Sequence, residues 1–409
     1  RRPMYMPLRS RMCSKLDSVL IALSSYCFAM PAAIVAHSSR YLRACCSTLI
    51  GHSPREEVSW EAMENDFDVI VVGAGVAGLS AAHHLTGRGL RVLLLDKGRQ
   101  VGGRMASRRF NGSRYDTGAQ FFTAVSEDFA AMVTEAAAAG AVRAWYTRHP
   151  RRAHHRPLPV WRGDTGMSDL PKWLAGTLNP RVAQIRFPVT VKTVEKTDSG
   201  VRVLYHSTAA DSRDETSGET VSAPAVILTA PAPQSVALLS ESLQAKIPPG
   251  VRGLDYHPCV ALLVPQRRYP SHILNEHGWV RPSHPAIGWI ADNHCKGLPA
   301  ADAGEPRPEG AALTVHFAPS WSTQWYHEPD RETVSAALNE LRSLDIDTQP
   351  SAVDVKRWRY AQPVELWSEQ SVEVQPGVFL AGDVFAGPRV EGAFSSGLHA
   401  ARRVMEEHQ

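Results

Sequence analysis

The chain has 409 residues, and its 44% apolar and 21% charged content has the proportions of a soluble globular enzyme with room for two intertwined domains. The net charge is only +3. With no basic helix and no interleaving of aromatic and basic residues, nucleic acid is set aside as a partner.

Residues 1–62 differ in composition from the rest of the chain. They hold Cys13, Cys27, Cys45 and Cys46, and Asp17 is their only acid before Glu56. Arg1, Arg2, Arg9, Arg11 and Lys15 precede an uncharged stretch from Ser18 to Ser39. A signal peptide or anchor, an organelle transit peptide, and upstream sequence outside the working protein all fit this pattern. A single membrane span fits by length, but Pro31 and the serines weaken it. Met63-Glu-Asn-Asp-Phe-Asp-Val has the look of a natural start just ahead of the first strand, so residues 1–62 are set apart from the fold.

Asp68 to Val72 is a short β-branched run and reads as a buried parallel strand. Gly73, Gly75 and Gly78 then spell G-x-G-x-x-G, and a helix is expected from about Val76 to Arg88. Gly73 permits a tight turn, Gly75 lets backbone approach a pyrophosphate, and Gly78 lets helix and strand pack closely. The helix start, with Val76 and Ala77, turns free N–H groups toward phosphate. A second apolar strand, Arg91 to Leu95, ends on Asp96, at the spacing of an acid that holds a ribose hydroxyl. Lys97 follows it. Gly102-Gly103-Arg104-Met105 again suggests backbone and a cationic fork near a phosphate.

Phe121 to about Val142 reads as helix, with a stop at Gly140. Arg143, Arg148, Arg151, Arg152, Arg156 and Arg162 then fall in one stretch without an acid. That stretch is either a solvated loop or an electrostatic funnel for an anionic substrate. His149, His154 and His155 lack the spacing of a metal site, and no metal is expected. A helix begins near Met167, with Ser168 or Asp169 as cap. Alternating apolar residues from Val189 to Tyr205 read as a β-meander, followed by a hydrophilic loop near Asp211 to Gly218. Ala225 to Pro231 reads as another buried strand.

From about 237 to 352 the strand-like runs Cys259–Val264, His277–Arg281, Ile287–Asp292 and Ala311–Ala318 precede an amphipathic helix, Arg331 to Leu344. This pattern predicts a sheet with one or two covering helices. Val353 to Tyr360 returns the chain. Trp358 and Tyr360 share a strand face, which is either a wall for a planar substrate or domain packing, and Trp289 is a weaker candidate of the same kind. Gly377-Val-Phe-Leu-Ala-Gly382-Asp383 is a strand delivering an acid, and Glu391-Gly392-Ala393 opens a final small-residue helix. Phosphate-facing helix starts at both ends of the chain suit FAD over NAD.

Together with Tyr115-Asp-Thr-Gly-Ala-Gln-Phe-Phe122 and Arg357-Trp-Arg-Tyr-Ala-Gln-Pro363, these ends resemble the renalase-like FAD-dependent oxidoreductases of the amine oxidase and phytoene desaturase superfamily. The resemblance runs from about Met63 to the C-terminus. It implies an α/β fold, with a three-layer Rossmann-like FAD domain and a mixed-sheet α+β substrate domain. The expected boundaries are 63–121, 160–236 and 352–409 for the FAD domain, and 122–159 with 237–351 for the substrate domain. Backbone around Val191 becomes a candidate adenine contact, equally well a plain core strand. Gln120 and Phe121 follow the Asp-Thr-Gly turn, where the Gln120 amide would meet the flavin edge. Past residue 62 only Cys259 and Cys295 occur, and Ser395-Ser396-Gly397 stands in the C-terminal motif, so non-covalent FAD and a reducing compartment are expected. That compartment is the cytoplasm, or an organelle if the N-terminal segment targets one. The resemblance further implies oxidation of 2- or 6-dihydro isomers of NAD(P)H, with O2 as acceptor and hydrogen peroxide as product, and no membrane contact for the folded core. The alternatives are an amine oxidase or desaturase, and a non-enzymatic escort protein on the same fold.

Overall fold

The computed structural model describes residues 67–148, 157–207, 218–346 and 353–407. The segment 1–62, the residues 149–156 with His149, His154, His155, Arg151, Arg152 and Arg156, and nearly all of the loop expected near 211–218 lie outside them.

The first strand, β1 (Val69–Val72), is followed by β2 (Val92–Leu95), the hairpin β3 (Ser107–Phe110) and β4 (Ser113–Asp116), and the hairpin β5 (Val142–Arg148) and β6 (Leu158–Gly163). Next come β7 (Ala183–Arg186), the meander β8 (Val189–Thr197), β9 (Gly200–Ser207) and β10 (Glu219–Ala223), then β11 (Ala225–Leu228). The second half holds β12 (Tyr256–Gln266), β13 (Trp279–Val280), β14 (Ile287–Asp292), β15 (Ala311–Phe317), β16 (Asp354–Pro363), β17 (Val372–Gln375) and β18 (Val378–Leu380). The principal helices are α1 (Val76–Thr86), α2 (Glu127–Ala138), α3 (Asp169–Gly176), α4 (Pro319–Trp325), α5 (Asp330–Arg342), α6 (Asp383–Ala386) and α7 (Val390–Glu407).

A six-stranded sheet has the order β17-β18-β11-β1-β2-β7. It is parallel except for the edge pair β17–β18. Every residue of β1, β2, β11 and β18 is buried, as continuous apolar runs require when a sheet is covered on both faces. One face packs on the meander β8–β10 through Ile70, Leu93, Val194 and Val203. The other packs on α1, α3 and α7 through Val69, Leu79, Leu174 and Ala400. This is the expected three-layer Rossmann-like arrangement. Helices α1 and α7 touch so closely that a Cβ on Gly397 would lie 1.9 Å from the Ala77 carbonyl oxygen.

The second sheet, β13-β14-β15-β12-β16, is antiparallel in every pair. Helices α4 and α5 cover one face through Trp321, Val334, Leu338 and Leu341. Both sheets lie in one compact unit from Met63 to Gln409.

Two stretches differ from expectation. Phe121 to Ser126 is not helical, because Phe122 pairs with Trp161 through hydrogen bonds of 3.0 and 2.8 Å in both directions. The described ends of the arginine-rich stretch are strands, paired as the hairpin β5–β6, in which Arg143 is ion-paired with Asp164. Among the described residues no helix is long and apolar enough to cross a membrane.

Candidate active site

The glycine loop between β1 and α1 separates into two roles. A Cβ on Gly73 would meet Thr229 Oγ1 at 2.6 Å, and one on Gly78 would meet the Gly73 carbonyl oxygen at 1.9 Å. Both glycines are required by the protein's own packing. Gly75 is not: a Cβ there meets nothing within 4 Å, and its backbone is ordinary extended chain. The bare position therefore faces an opening, and a phosphate approaching the backbone gives it a reason. No side chain caps α1, so the N–H groups of its first turn are left for a ligand.

The second glycine pair completes this cradle. Gly102 N donates to Ala74 O at 2.9 Å, and Gly103 lies beside Gly75. Asp96 stands at the end of β2 and accepts from Ala74 N at 2.7 Å and Gly98 N at 2.6 Å. Its main-chain oxygen takes Val189 N at 2.8 Å, which brings the meander to the same edge. These features fit the pyrophosphate and ribose of FAD: bare backbone at the phosphates, free helix N–H groups, and an acid at the second strand end.

Arg104 and Asp383 meet each other. The guanidinium donates to both carboxylate oxygens at 2.7 Å, and Tyr256 Oη donates to Asp383 at 3.2 Å. Burial works against the Arg104 charge, but the Asp383 carboxylate outweighs it and holds the guanidinium above its usual pKa. Arg104 is thus not a loose fork awaiting phosphate. It ties the Gly-Gly-Arg loop to the start of α6, and Gly382 N is fixed by Ser396 Oγ at 2.8 Å.

The Asp116-Thr-Gly-Ala-Gln-Phe turn follows β4 and is clamped from several sides. Asp116 Oδ2 accepts Lys296 Nζ at 2.5 Å, with both side chains fully buried. Its Oδ1 accepts Ser107 Oγ at 2.6 Å and Met167 N at 2.7 Å. Asp116 N donates to Asn293 Oδ1 at 3.1 Å. The Thr117 carbonyl accepts Trp358 Nε1 at 2.8 Å and His316 Nε2 at 3.2 Å. Because a carbonyl only accepts, this contact places the His316 proton on Nε2. Burial lowers the His316 pKa to about 4; the Thr117 carbonyl opposes the shift and Lys296 adds to it. Burial also lowers the Lys296 pKa, with Asp116 pulling it back. Gly118 fits only without a Cβ, which would lie 2.0 Å from the Arg104 carbonyl oxygen. The turn and the Gly-Gly-Arg loop are therefore one assembly.

Gln120 sits at the end of this turn. Its Nε2 donates to the carbonyls of Asp116 and Gly118, while its buried Oε1 has no partner among the described residues. Phe121 begins an aromatic wall: its ring lies 5.6 Å from Trp289 and 6.4 Å from Trp145. Trp279 stacks on Trp289 at 4.7 Å and 12°. The indole N–H groups of Trp145 and Trp289 are buried without partners among the described residues. Lys296 Nζ lies 5.3 Å from the Trp145 ring and Arg281 lies 5.4 Å from that of Trp289.

The remaining expectations divide. Val76 and Met105 are buried against Phe394 and Leu398, under the cradle. Ala77 touches Gly397, Gly392 packs on the Gly387 carbonyl, and Ala393 is half-buried beside Phe394. Val191 points into the core. Lys97 is exposed. The Glu391 carboxylate is turned away from the cradle and accepts Val125 N and Ser126 N at 3.0 and 2.6 Å, fixing the approach to α2. Trp358 and Tyr360 do not form one wall: Trp358 braces the turn, while Tyr360 packs edge-on against Tyr256 at 5.8 Å. Sequence reasoning passed over Lys296, Asn293, His316, Trp145 and Trp279. The polar run Asp292-Asn-His-Cys-Lys296, directly after an apolar strand, was the one available signal.

Residues 71–136 match the NAD(P)-binding Rossmann-like domain, and residues 145–405 match the flavin containing amine oxidoreductase profile. Polyamine oxidase 1 of Oryza sativa subsp. japonica is 43% identical over 60 residues, 14% of this chain and 12% of that protein. Protoporphyrinogen oxidase 2, chloroplastic/mitochondrial, of Arabidopsis thaliana is 39% identical over 67 residues, 16% and 13% of the two chains. Carotenoid 3,4-desaturase of Haloarcula japonica is 46% identical over 55 residues, 13% and 11%. In each case the match spans 13% or less of the relative's own length. A crystal structure from Exiguobacterium sp. 255-15, described as a putative protoporphyrinogen oxidase, superposes with a TM-score of 0.61 at 15% identity. The superposition covers 83% of this chain and 99% of the other, and shows a shared fold.

Proposed function

We propose a function from one premise: this chain belongs to the flavin containing amine oxidoreductases, and is an FAD-dependent oxidoreductase. Within that family its substrates are misreduced dihydronicotinamide dinucleotides, the 2- and 6-dihydro isomers of NAD(P)H, and its final acceptor is O2. The observation that carries this reading is the aromatic wall of Phe121, Trp145 and Trp289 beside the clamped Gln120 turn. Rigid aromatic faces hold a flat ring at little cost in side-chain entropy. When bound in the cradle, FAD would supply the redox chemistry, taking a hydride from the dihydropyridine and reducing O2 to hydrogen peroxide.

The chain itself contributes position and polarity. Hydride loss from a dihydropyridine needs no general base, and His316 is a poor one, with its Nε2 proton committed to Thr117 and its pKa near 4. Arg281 places positive charge on the wall, which favours an anionic dinucleotide, while the Lys296 charge is balanced by Asp116. A second reading, amine oxidation, is favoured by the match to rice polyamine oxidase. The Arg281 guanidinium would repel a protonated amine as it arrives. The test is anaerobic mixing of the FAD-loaded protein with 2- and 6-dihydro-NAD(P) and, separately, with polyamines and monoamines. Rapid bleaching of the flavin band by the dihydro isomers, with recovery and peroxide on admitting air, is expected. Bleaching by amines alone would replace the reading with amine oxidation.

A further inference from the structure

The rings of the aromatic wall continue outward by stacking on one another. Trp279 stacks on Trp289 at 4.7 Å and 12°, Tyr146 lies 6.0 Å beyond Trp279 at 24°, and His277 covers Tyr146 at 4.4 Å and 6°. Trp145 meets Tyr146 edge-on at 5.3 Å. Trp289 is 6% exposed, whereas Trp279, Tyr146 and His277 are half-buried, so the row runs from the wall beside the Gln120 turn to the surface.

Packing alone does not account for the side chains in this row. The buried indole N–H groups of Trp145 and Trp289 have no partner among the described residues, a loss of stability that phenylalanine would avoid. What indole and phenol have, and phenylalanine lacks, is a ring that gives up one electron readily. Rings in van der Waals contact exchange electrons with no covalent bridge between them. The order of the rings also sets a direction. Arg281, 5.4 Å from the Trp289 ring, disfavours a positive charge resting there. Tyr146, at the outer end, loses its phenolic proton as it loses an electron, so its radical is neutral.

We propose that Trp289, Trp279 and Tyr146, with Trp145 as a second inner ring, form a one-electron path from the flavin site to the surface. A one-electron oxidant in the pocket, either the light-excited oxidised flavin or a peroxide-derived radical, gains an electron from Trp289 or Trp145. Trp279 refills Trp289. Tyr146 refills Trp279 or Trp145, and its hydroxyl proton passes to water. A soluble reductant of the thiol or ascorbate class then returns a hydrogen atom to the Tyr146 oxygen. An oxidising equivalent formed beside the cofactor thus leaves the pocket. This path rests on the FAD reading alone and not on the identity of the substrate.

The test illuminates the full-length, FAD-loaded protein with blue light, anaerobically and without reductant, and freezes it for electron paramagnetic resonance. The wild type should give a tyrosyl signal that narrows with ring-deuterated tyrosine and disappears in Tyr146→Phe. The signal should disappear as well in the double variant Trp145→Phe/Trp279→Phe, which keeps Tyr146 but cuts both approaches to it. Phenylalanine keeps a ring at each place, and the bound-flavin absorbance and melting temperature of each variant check its fold. A tyrosyl signal that survives in either variant, or none in the wild type, would overturn the path. Failure of the dihydro isomers to bleach the flavin in the dark would remove the substrate reading and leave this result untouched.

Discussion

Replacing Lys296 with methionine is the sharpest test of how the Asp116 turn is held. Methionine is close to lysine in length and shape, so little cavity is opened and the change is chiefly electrostatic. In the native fold Asp116 Oδ1 is satisfied by Ser107 and Met167, and Oδ2 depends on the ammonium 2.5 Å away. Both side chains are completely buried. Removing one partner of such a pair strands the other charge out of water, which costs about 3–5 kcal/mol. That is about a fifth or more of a typical total stability of about 5–15 kcal/mol. Asp116→Asn on the Lys296→Met background keeps Oδ1 for its two donors and removes the stranded charge. It leaves only a neutral amide N–H unsatisfied, at about 1–3 kcal/mol. Urea unfolding followed by tryptophan fluorescence should therefore show the double variant more stable than Lys296→Met alone. Because Gln120 is bonded to the Asp116 carbonyl, Lys296→Met should also slow flavin reduction. If Lys296→Met loses less than about 1 kcal/mol, or the double variant loses the sum of the two single losses, the buried-pair argument is wrong.

Two further predictions concern the cradle and the turn. Gly75→Ala meets open space at an ordinary backbone conformation, so the protein should fold with an unchanged apoprotein melting temperature yet bind FAD at least about tenfold more weakly. Gly78→Ala, whose Cβ would strike the Gly73 carbonyl, should lower both quantities, and equal behaviour of the two variants would contradict the division of roles. His316 has a folded pKa of about 4 against an ordinary value of 6.5, so between these pH values the unfolded chain binds more protons and stability rises with pH. Acid should therefore weaken the wild-type fold through this group by about 2 kcal/mol between pH 7 and pH 5. His316→Gln keeps an N–H for Thr117 but does not titrate, and urea unfolding at the two pH values should show a smaller loss; parallel losses would refute the assignment.

How much could be read from the chain alone depends on where each role is carried. The cradle was readable because backbone carries it: Gly73, Gly75 and Gly78 act through missing side chains, and the fully buried β1 and β2 announce themselves as continuous apolar runs. The helix α5 was readable from its spacing for the same local reason. The hairpin β5–β6 was not, since Val142-Arg-Ala-Trp-Tyr-Thr-Arg148 mixes charge with aromatics and its strand character comes from pairing with β6 and from a wall built with β13 and β14. Asp116 and Lys296 are 180 residues apart, and neither looks unusual where it stands. Asp116 resembles any turn aspartate, and Lys296 any solvated lysine after a strand. Only their burial together changes the meaning of each, because a charge is tolerable in a core when its partner is there too. The same holds for His316 and Trp358, which meet on a carbonyl that no side-chain pattern can mark. The aromatic residues chosen from strand spacing, Trp358 and Tyr360, consequently turned to bracing the turn and packing on Tyr256, while the wall itself was assembled from Phe121, Trp145, Trp279 and Trp289, four residues on separate segments. In this fold the cofactor cradle is local and the aromatic wall proposed for the substrate is not, so a chain of this kind declares its cofactor before it declares its substrate.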